Sequence, residues 1–361
     1  MSYTHHKFSR ENNPEFYNTL RMRVNEYFEI NQIPRHGNSK IILKTIVLAL
    51  VYLVPYGFII SGVITSTPLF IFMWVLMGLG MASIGLCVMH DANHGSYSNN
   101  KTLNSIMGHS MNLIGGTACI WKMQHNVLHH TYTNIKGADE DIEAGDLLRF
   151  SPSQPKKKLH KFQHIYAWAL YCLMAFMRVT VKDFLQLFKF RKIGLIKTKK
   201  EFNSLLFRII RWKIFYYSYI LVLPIVLLPQ SAGLIIGCFL LMLAITGFIL
   251  SVIFQTAHVM TTSEFPIPDE TGTHTNSWAV HQINTTANYS PKSRIFTWFV
   301  GGLNYQIEHH LFANISHVHY KKLSPIVSQT AEEYGVKYNS HRTFMHAIVD
   351  HGKMLYQLGR V

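Results

Sequence analysis

Two long stretches of this chain, residues 45–90 and 214–263, contain no Lys, Arg, Asp or Glu. A soluble domain carries about one charged residue in four, so runs of this kind belong in a non-aqueous setting. A helix crossing a bilayer uses roughly 20 mostly apolar residues rising ~1.5 Å each. Each stretch is long enough for two such helices. Each also has a turn near its middle, Thr65-Ser66-Thr67-Pro68 in the first and Pro229-Gln230-Ser231 in the second. The pattern predicts an all-α integral membrane protein, with four transmembrane helices in two hairpins (residues 41–64, 69–89, 215–228 and 232–258). A cytoplasmic helical cap is expected to hold a di-metal site. Residues 1–40 read as a polar lead with a helix near 15–28, residues 41–320 as the membrane domain and 321–361 as a tail.

Charge sets the orientation. All 34 Lys and Arg lie outside the two stretches and none falls in the short turns. Positive loops stay in the cytoplasm, so both termini and residues 91–213 are expected there. That bias and the attraction of anionic headgroups account for the net charge of +15. Lys156–Lys158 and Arg208, Arg211 and Lys213 are read as part of it, with a phosphate-bearing headgroup as the alternative ligand. No nucleic-acid motif accompanies the charge, and no nucleic-acid partner is expected; the lipid bilayer is. The first forty residues hold no apolar signal core. The four cysteines are not closely spaced and predict neither disulfides nor a cysteine-based zinc site. Residues 103–121, apolar but broken by Gly108 and Gly115-Gly116, predict an interfacial or re-entrant helix. Residues 159–190 are expected to lie along the membrane surface.

The chemistry sits where the apolar runs end. Seven histidines fall into three clusters: His90-x-x-x-His94, His125-x-x-x-His129-His130 and His309-His310. A four-residue step places two rings on one helix face. From Pro68 to His90 a helix rises about 33 Å against a hydrocarbon core of about 30 Å, which puts His90 at the cytoplasmic rim. A similar count from Ala232 brings His258 to the same face. Eight imidazoles exceed what one zinc uses and suit two metal ions with open positions. Imidazole accepts zinc, copper, iron or nickel. At the rim of apolar helices the substrate is a hydrocarbon chain, and breaking an unactivated C–H bond calls for iron with dioxygen. Asp91, the run Asp139-Glu140-Asp141 and Glu308 are placed to orient imidazoles from behind, and His317 and His319 to support them. His160 and His164 share the four-residue step but sit among lysines and are read as surface residues. His5, His6, His341, His346 and His351 are read as solvated.

The clusters resemble the three histidine boxes of the membrane fatty acid desaturases. His-Asp-Ala-Asn-His (90–94) is similar to the first box. Gln-His-Asn-Val-Leu-His-His-Thr-Tyr-Thr-Asn (124–134) is similar to the second, and Gly-Gly-Leu-Asn-Tyr-Gln-Ile-Glu-His-His-Leu-Phe (301–312) to the third. Gln306 in the third box, with His317-x-His319-Tyr320 after it, resembles the front-end branch. That branch inserts a double bond between an existing one and the carboxyl end. The resemblance covers roughly residues 41–320. It implies an oxygen-dependent desaturase with two iron ions and dioxygen as co-substrate, placing a cis double bond in a fatty acyl-CoA or a membrane-lipid acyl chain. It implies His90, His94, His125, His129, His130, His258, His309 and His310 as iron ligands, with Gln306 binding iron directly or through water. Asp91, Asp141, Glu308 and His317 then stand behind the ligands. The acyl chain is expected to kink in a tunnel between the spans.

Three departures stand out. The His-Pro-Gly-Gly motif of the cytochrome domain fused to many front-end members is absent, so a separate ferredoxin or cytochrome is expected as electron donor. The second box has one residue more than usual between its first histidine and the pair, and Ala313 replaces a common proline. Both weaken any transfer of regioselectivity. A hydroxylase on the same scaffold is the nearest alternative. A membrane zinc hydrolase is disfavoured by the missing His-Glu-x-x-His and the ligand count. A metal transporter would set its ligands near the bilayer midplane rather than at helix ends.

Overall fold

The computed structural model describes residues 6–9, 13–143 and 145–361. His5 lies outside them. Among the described residues nearly all regular structure is helical, and four helices are long and apolar enough to cross a membrane, or five if the bent pair Lys158–Tyr171 and Leu173–Lys192 is one span. Helix α1 (Pro14–Asn31) opens with Pro14 in its first turn, where a missing N–H costs nothing. It buries Phe16, Leu20, Val24 and Phe28, a four-residue spacing that aligns one face.

The first apolar helix, α2 (Ser39–Ile60), precedes α3 (Thr67–Asn93). Asn38 caps α2 by accepting from the Lys40 N–H at 3.0 Å, and Pro68 starts α3. The third apolar helix, α9 (Lys199–Leu227), begins well before the uncharged stretch and takes Arg208, Arg211 and Lys213 into its first half. The fourth is α10 (Ala232–His258), capped by Ser231. Helix α3 is the central one, packed between α2 and α10, with 67% of its apolar window buried against 28% for α2 and α9. The open faces of α2 and α9 expose Leu43, Leu50, Phe58, Phe207 and Ile214. Apolar faces of that extent on outer helices are lipid-facing surface.

Between α3 and α9 the chain forms short broken pieces: α4 (Lys101–Gly108), α5 (Ser110–Leu113) and α6 (Ala118–Lys122). The break falls at Gly115-Gly116, where Gly115 has φ 85° and a Cβ would meet Val179 at 2.8 Å and Tyr216 at 2.9 Å. Next come α7 (Gln163–Tyr171) and α8 (Leu173–Lys192), a pair bent by 63°. The pair exposes Ile165, Leu173, Leu185 and Phe188.

The remaining helices, α11 (Trp278–Asn284), α12 (Arg294–Phe299), α13 (Gln306–Leu311), α14 (Tyr320–Glu333) and α15 (Phe344–Leu358), build the cap. Two short parallel strand pairs tie it together. One joins Lys7–Phe8 to Thr273–His274, the other Asn288–Tyr289 to Ser340–His341.

Several expectations outside the clusters are corrected here. His351 is buried, not solvated: Nδ1 lies 2.7 Å from the Val259 carbonyl and Nε2 2.6 Å from the Tyr171 hydroxyl. His160 is also buried rather than on the surface. Its Nδ1 accepts the Lys157 N–H at 3.0 Å, and its Nε2 lies 3.0 Å from the Asp146 carbonyl. His164 is half-buried beside Tyr356, and His6 is half-buried against His274. His341 is half-buried and His346 exposed. Lys213 is no headgroup ligand. It is buried against Asp183 at 2.8 Å and also donates to the Gly115 and Arg178 carbonyls. For His351 and Lys213 the hydrogen bonds come from residues far along the chain, and His346 is exposed as expected.

Candidate metal centre

His90 and His94 occupy the last turn of α3, His258 ends α10, and His309 and His310 lie on α13. The middle cluster follows α6 on a π-helical segment, Met123–His129. Its wider turn changes which rings align. The His130 N–H bonds the His125 carbonyl five residues back, so His125 and His130 face each other with Nε2 atoms 3.2 Å apart. His129 still stacks on His125, with ring centroids 5.2 Å apart, and its ring also meets those of His258 and His310 at 4.8 and 4.9 Å. π-Bulges of this kind recur at functional sites.

The clusters therefore do not each make one site. His90, His94, His125 and His309 form one group and His129, His258 and His310 a second, with ring nitrogens in each within 4.8 Å of one another; a third set, His125, His129 and Asp141, links the two. Both the 125/129 step and the adjacent 309/310 pair are divided between the two groups. His130 stands between them, its ring centroid 4.6 Å from that of His309 and 4.3 Å from that of His310.

The third motif is brought to this layer by its glycines. Gly301 and Gly302 have φ 65° and 70°, a region that favours glycine. A Cβ on Gly301 would sit 2.6 Å from the Leu86 carbonyl oxygen of α3, and one on Gly302 2.8 Å from His317 Cβ. Only a bare backbone lets α13 approach α3 this closely.

Four rings are held from behind. His129 Nδ1 lies 3.1 Å from Asp139. His258 Nδ1 lies 3.4 Å from the Thr285 carbonyl, His309 Nδ1 3.2 Å from the Tyr320 hydroxyl, and His310 Nδ1 2.9 Å from Gln282 Oε1. What remains is a set of buried Nε2 atoms, on His94, His129, His258, His309 and His310, without a protein partner. Buried polar atoms are nearly always satisfied, and one left bare costs about 1–3 kcal/mol. Five bare imidazole nitrogens pointing into one layer are what a pair of metal ions would satisfy. Burial pushes His94, His125, His130, His309 and His310 well below the ordinary histidine range, which keeps them neutral and fit to ligate. Burial also acts on His129, but Asp139 outweighs it and its pKa is raised.

The residues expected behind the ligands fare differently. Asp91 lies 3.9 Å from His90 Nδ1 and 2.7 Å from His317 Nδ1. Asp141 is 3.9 Å from His129 and accepts from Gln124, while its neighbour Asp139 makes the close contact. Glu308 reaches no ring of the cluster. Its oxygens accept from Asn288 Nδ2 at 2.7 Å and the Tyr338 hydroxyl at 2.6 Å, and burial pushes its pKa up to about 7. Tyr320, Gln282 and Thr285 were missed as supports. A lone Gln or Thr has no spacing signature, so only the fold identifies it. Two further buried histidines, His274 and His281, also escaped notice.

The histidine layer closes one part of a cavity of about 680 Å³. His90, His125, His309 and Gln306 reach its wall. The rest is mostly apolar, including Met81, Leu86, Met111, Ile114 and Leu250. Three carboxylates (Glu140, Asp141, Glu143) and three cations (Arg178, Lys182, Lys189) also line it. Arg178 donates to Gln124, Asp183 and Gln186, and Lys189 pairs with Glu140 and Glu143.

Comparison with known proteins agrees with this geometry. The fatty acid desaturase family model matches residues 66–342. An acyl-lipid (8-3)-desaturase of Physcomitrium patens is 36% identical over 98% of this chain and 73% of its own length. The sn-1 linoleoyl-lipid 6-desaturases of Synechocystis sp. and Arthrospira platensis are 33% and 34% identical, covering 96% and 92% of this chain and 96% and 89% of theirs. The chain belongs to the fatty acid desaturase family: it is a multi-pass membrane oxidoreductase that desaturates acyl chains, of the front-end type.

Proposed function

We propose that this desaturase holds two iron ions and acts on acyl chains of membrane glycerolipids. His90, His94, His125 and His309 would hold one ion and His129, His258 and His310 the other, with His130 between them and Gln306 at the cavity wall. The observation that carries the reading is the set of unpartnered Nε2 atoms, of which that of His309 belongs to a residue lining the mostly apolar cavity. When bound, paired iron supplies the oxygen chemistry needed to break unactivated C–H bonds. The protein's own part is to bind, orient and exclude water. Apolar walls hold the acyl chain beside His90, His125 and His309; Asp91, with His317 behind it, orients His90, and Asp139 with Asp141 orients His129 deeper in the layer. Glu308 would support the same layer through Asn288 and Tyr338 rather than by touching a ligand.

The charged end of the cavity bears on the substrate's head. Carboxylates and cations balance there, which suits a neutral or zwitterionic lipid and gives no excess positive charge for the phosphates of coenzyme A. The relatives named above are acyl-lipid enzymes. The basic loops favour cytoplasmic termini, with a ferredoxin or cytochrome as electron donor. The test is expression in a host fed defined unsaturated fatty acids, with lipids profiled by mass spectrometry. A new double bond in glycerolipid chains, lost in His129→Ala and His310→Ala, is the expected result. A new hydroxyl, or product retained in both variants, would refute the reading.

A further inference from the structure

Lys44 is the last charge before the first uncharged stretch, and by sequence it reads as one more topogenic lysine. The structure turns it inward. It lies in the second turn of α2 and is 4% exposed. Lysines near the end of a span normally extend their amines to the interface, and an ionisable group that stays inside a span usually has a specific partner. Here Nζ lies 3.2 Å from His317 Nε2, with the Trp298 ring 5.3 Å away on another side.

His317 continues the line. Its Nδ1 lies 2.7 Å from Asp91 Oδ2. The same oxygen accepts the Ser316 hydroxyl at 3.1 Å and the His317 backbone N–H at 3.4 Å. The other carboxylate oxygen, Oδ1, faces His90 Nδ1 at 3.9 Å. Lys44, His317, Asp91 and His90 thus form one row from α2, through the segment after the third motif, to the end of α3.

Donor and acceptor roles along this row are forced. A lysine ammonium donates and has no lone pair to accept. His317 Nε2 must therefore accept, which leaves the proton on Nδ1, directed at Asp91. With three donors on Oδ2, Asp91 is held with Oδ1 toward His90. A His90 ring with its Nδ1–H toward that oxygen presents Nε2 to the metal layer. We propose that Lys44 is a positioning residue of the metal centre: it fixes the tautomer of His317, through which Asp91 is held and His90 oriented. The inference rests on His90 being a ligand, as read above.

The test uses the full-length protein in lipid nanodiscs, with iron affinity measured by chelator competition and the ligand-field spectrum of the reduced centre recorded by magnetic circular dichroism. Lys44→Met removes the donor at similar length. It is expected to weaken iron binding roughly tenfold, the low end of what lost outer partners cost, and to shift the spectrum while KM for the lipid is unchanged. Lys44→Gln keeps an N–H donor without the charge and is expected to stay close to wild type. Trp298→Leu removes one packing contact of Lys44, the ring 5.3 Å from Nζ, and is expected to leave the spectrum unchanged. Wild-type affinity and spectrum in Lys44→Met would overturn the proposal. So would a Trp298→Leu shift as large as that of Lys44→Met, because Lys44 would then act through packing. If Lys44→Met does not fold, Lys44→Gln decides: loss of the wild-type spectrum in folded protein refutes the donor role, and retention supports it. Failure of the wild-type protein itself to bind iron would sink the metal reading, a result distinct from all of these.

Discussion

Replacing Asp139 by asparagine tests how the second metal position is built. Asp139 is fully buried and serves only as an acceptor. Oδ1 accepts the Asp141 N–H at 2.9 Å and Oδ2 the Asn134 N–H at 2.9 Å, and both oxygens lie 3.1–3.2 Å from His129 Nδ1. An asparagine amide has one oxygen and two N–H donors. Whichever way it is set, its NH2 group meets a backbone N–H, donor against donor. One buried donor is then left bare, at about 1–3 kcal/mol, and a charge-assisted bond to His129 is weakened by a comparable amount. His129 also loses the carboxylate that outweighs burial and raises its pKa. The expected result is a 10–100-fold loss of iron affinity and a lower unfolding temperature. Chelator competition and thermal unfolding of protein in nanodiscs measure the two. Asp141→Asn, 3.9 Å from the ring, should have a smaller effect. Wild-type iron retention and turnover in Asp139→Asn would refute the claim that this carboxylate orients His129.

The cavity and the packing give further tests. His351 is held down to about 4 by burial, against 6.5 when free, so the unfolded chain takes up this proton first as pH falls. Stability linked to this residue is complete above about pH 6.5 and declines toward pH 4, by about 2 kcal/mol between pH 7.5 and 5; chemical unfolding of wild type and His351→Gln should differ in pH slope by that amount. Gly247 crosses the bend between α7 and α8, where a Cβ would meet the Cys172 carbonyl oxygen at 2.7 Å and the Tyr171 carbonyl oxygen at 2.9 Å. Gly247→Ala should cost about 1–3 kcal/mol, visible as a lower unfolding temperature. Leu250 lines the apolar part of the cavity, and Leu250→Trp should shift lipid products toward shorter chains at near-normal iron content, measured by mass spectrometry.

How much was legible before folding follows from which signals are local. Burial in lipid acts on every residue of a span, so the four apolar helices and the rim position of His90 and His258 can be read from charge and length. Histidine spacing likewise identified seven imidazoles of the central layer, and span length the eighth, His258. Local signals failed wherever a partner came from far along the chain. His351 and His160 have unremarkable neighbours in sequence, and their hydrogen bonds come from Tyr171 and Val259 and from Asp146. Lys213 reads in sequence as one more basic residue, and its partner Asp183 lies 30 residues away along the chain.

The sequence by itself determined that the chain spans a membrane, that its histidines gather at one face and that they belong to a desaturase. Hydrophobic length and donor type are properties of the residues themselves. Only the tertiary structure decided how those histidines are shared. A π turn brings the Nε2 atoms of His125 and His130 to 3.2 Å of each other, and Gly301 lets the segment leading into α13 approach α3 closely, with His309 in one group and His310 in the other. Backbone phase and close approach depend on what packs against a segment, and spacing along the chain does not carry that information.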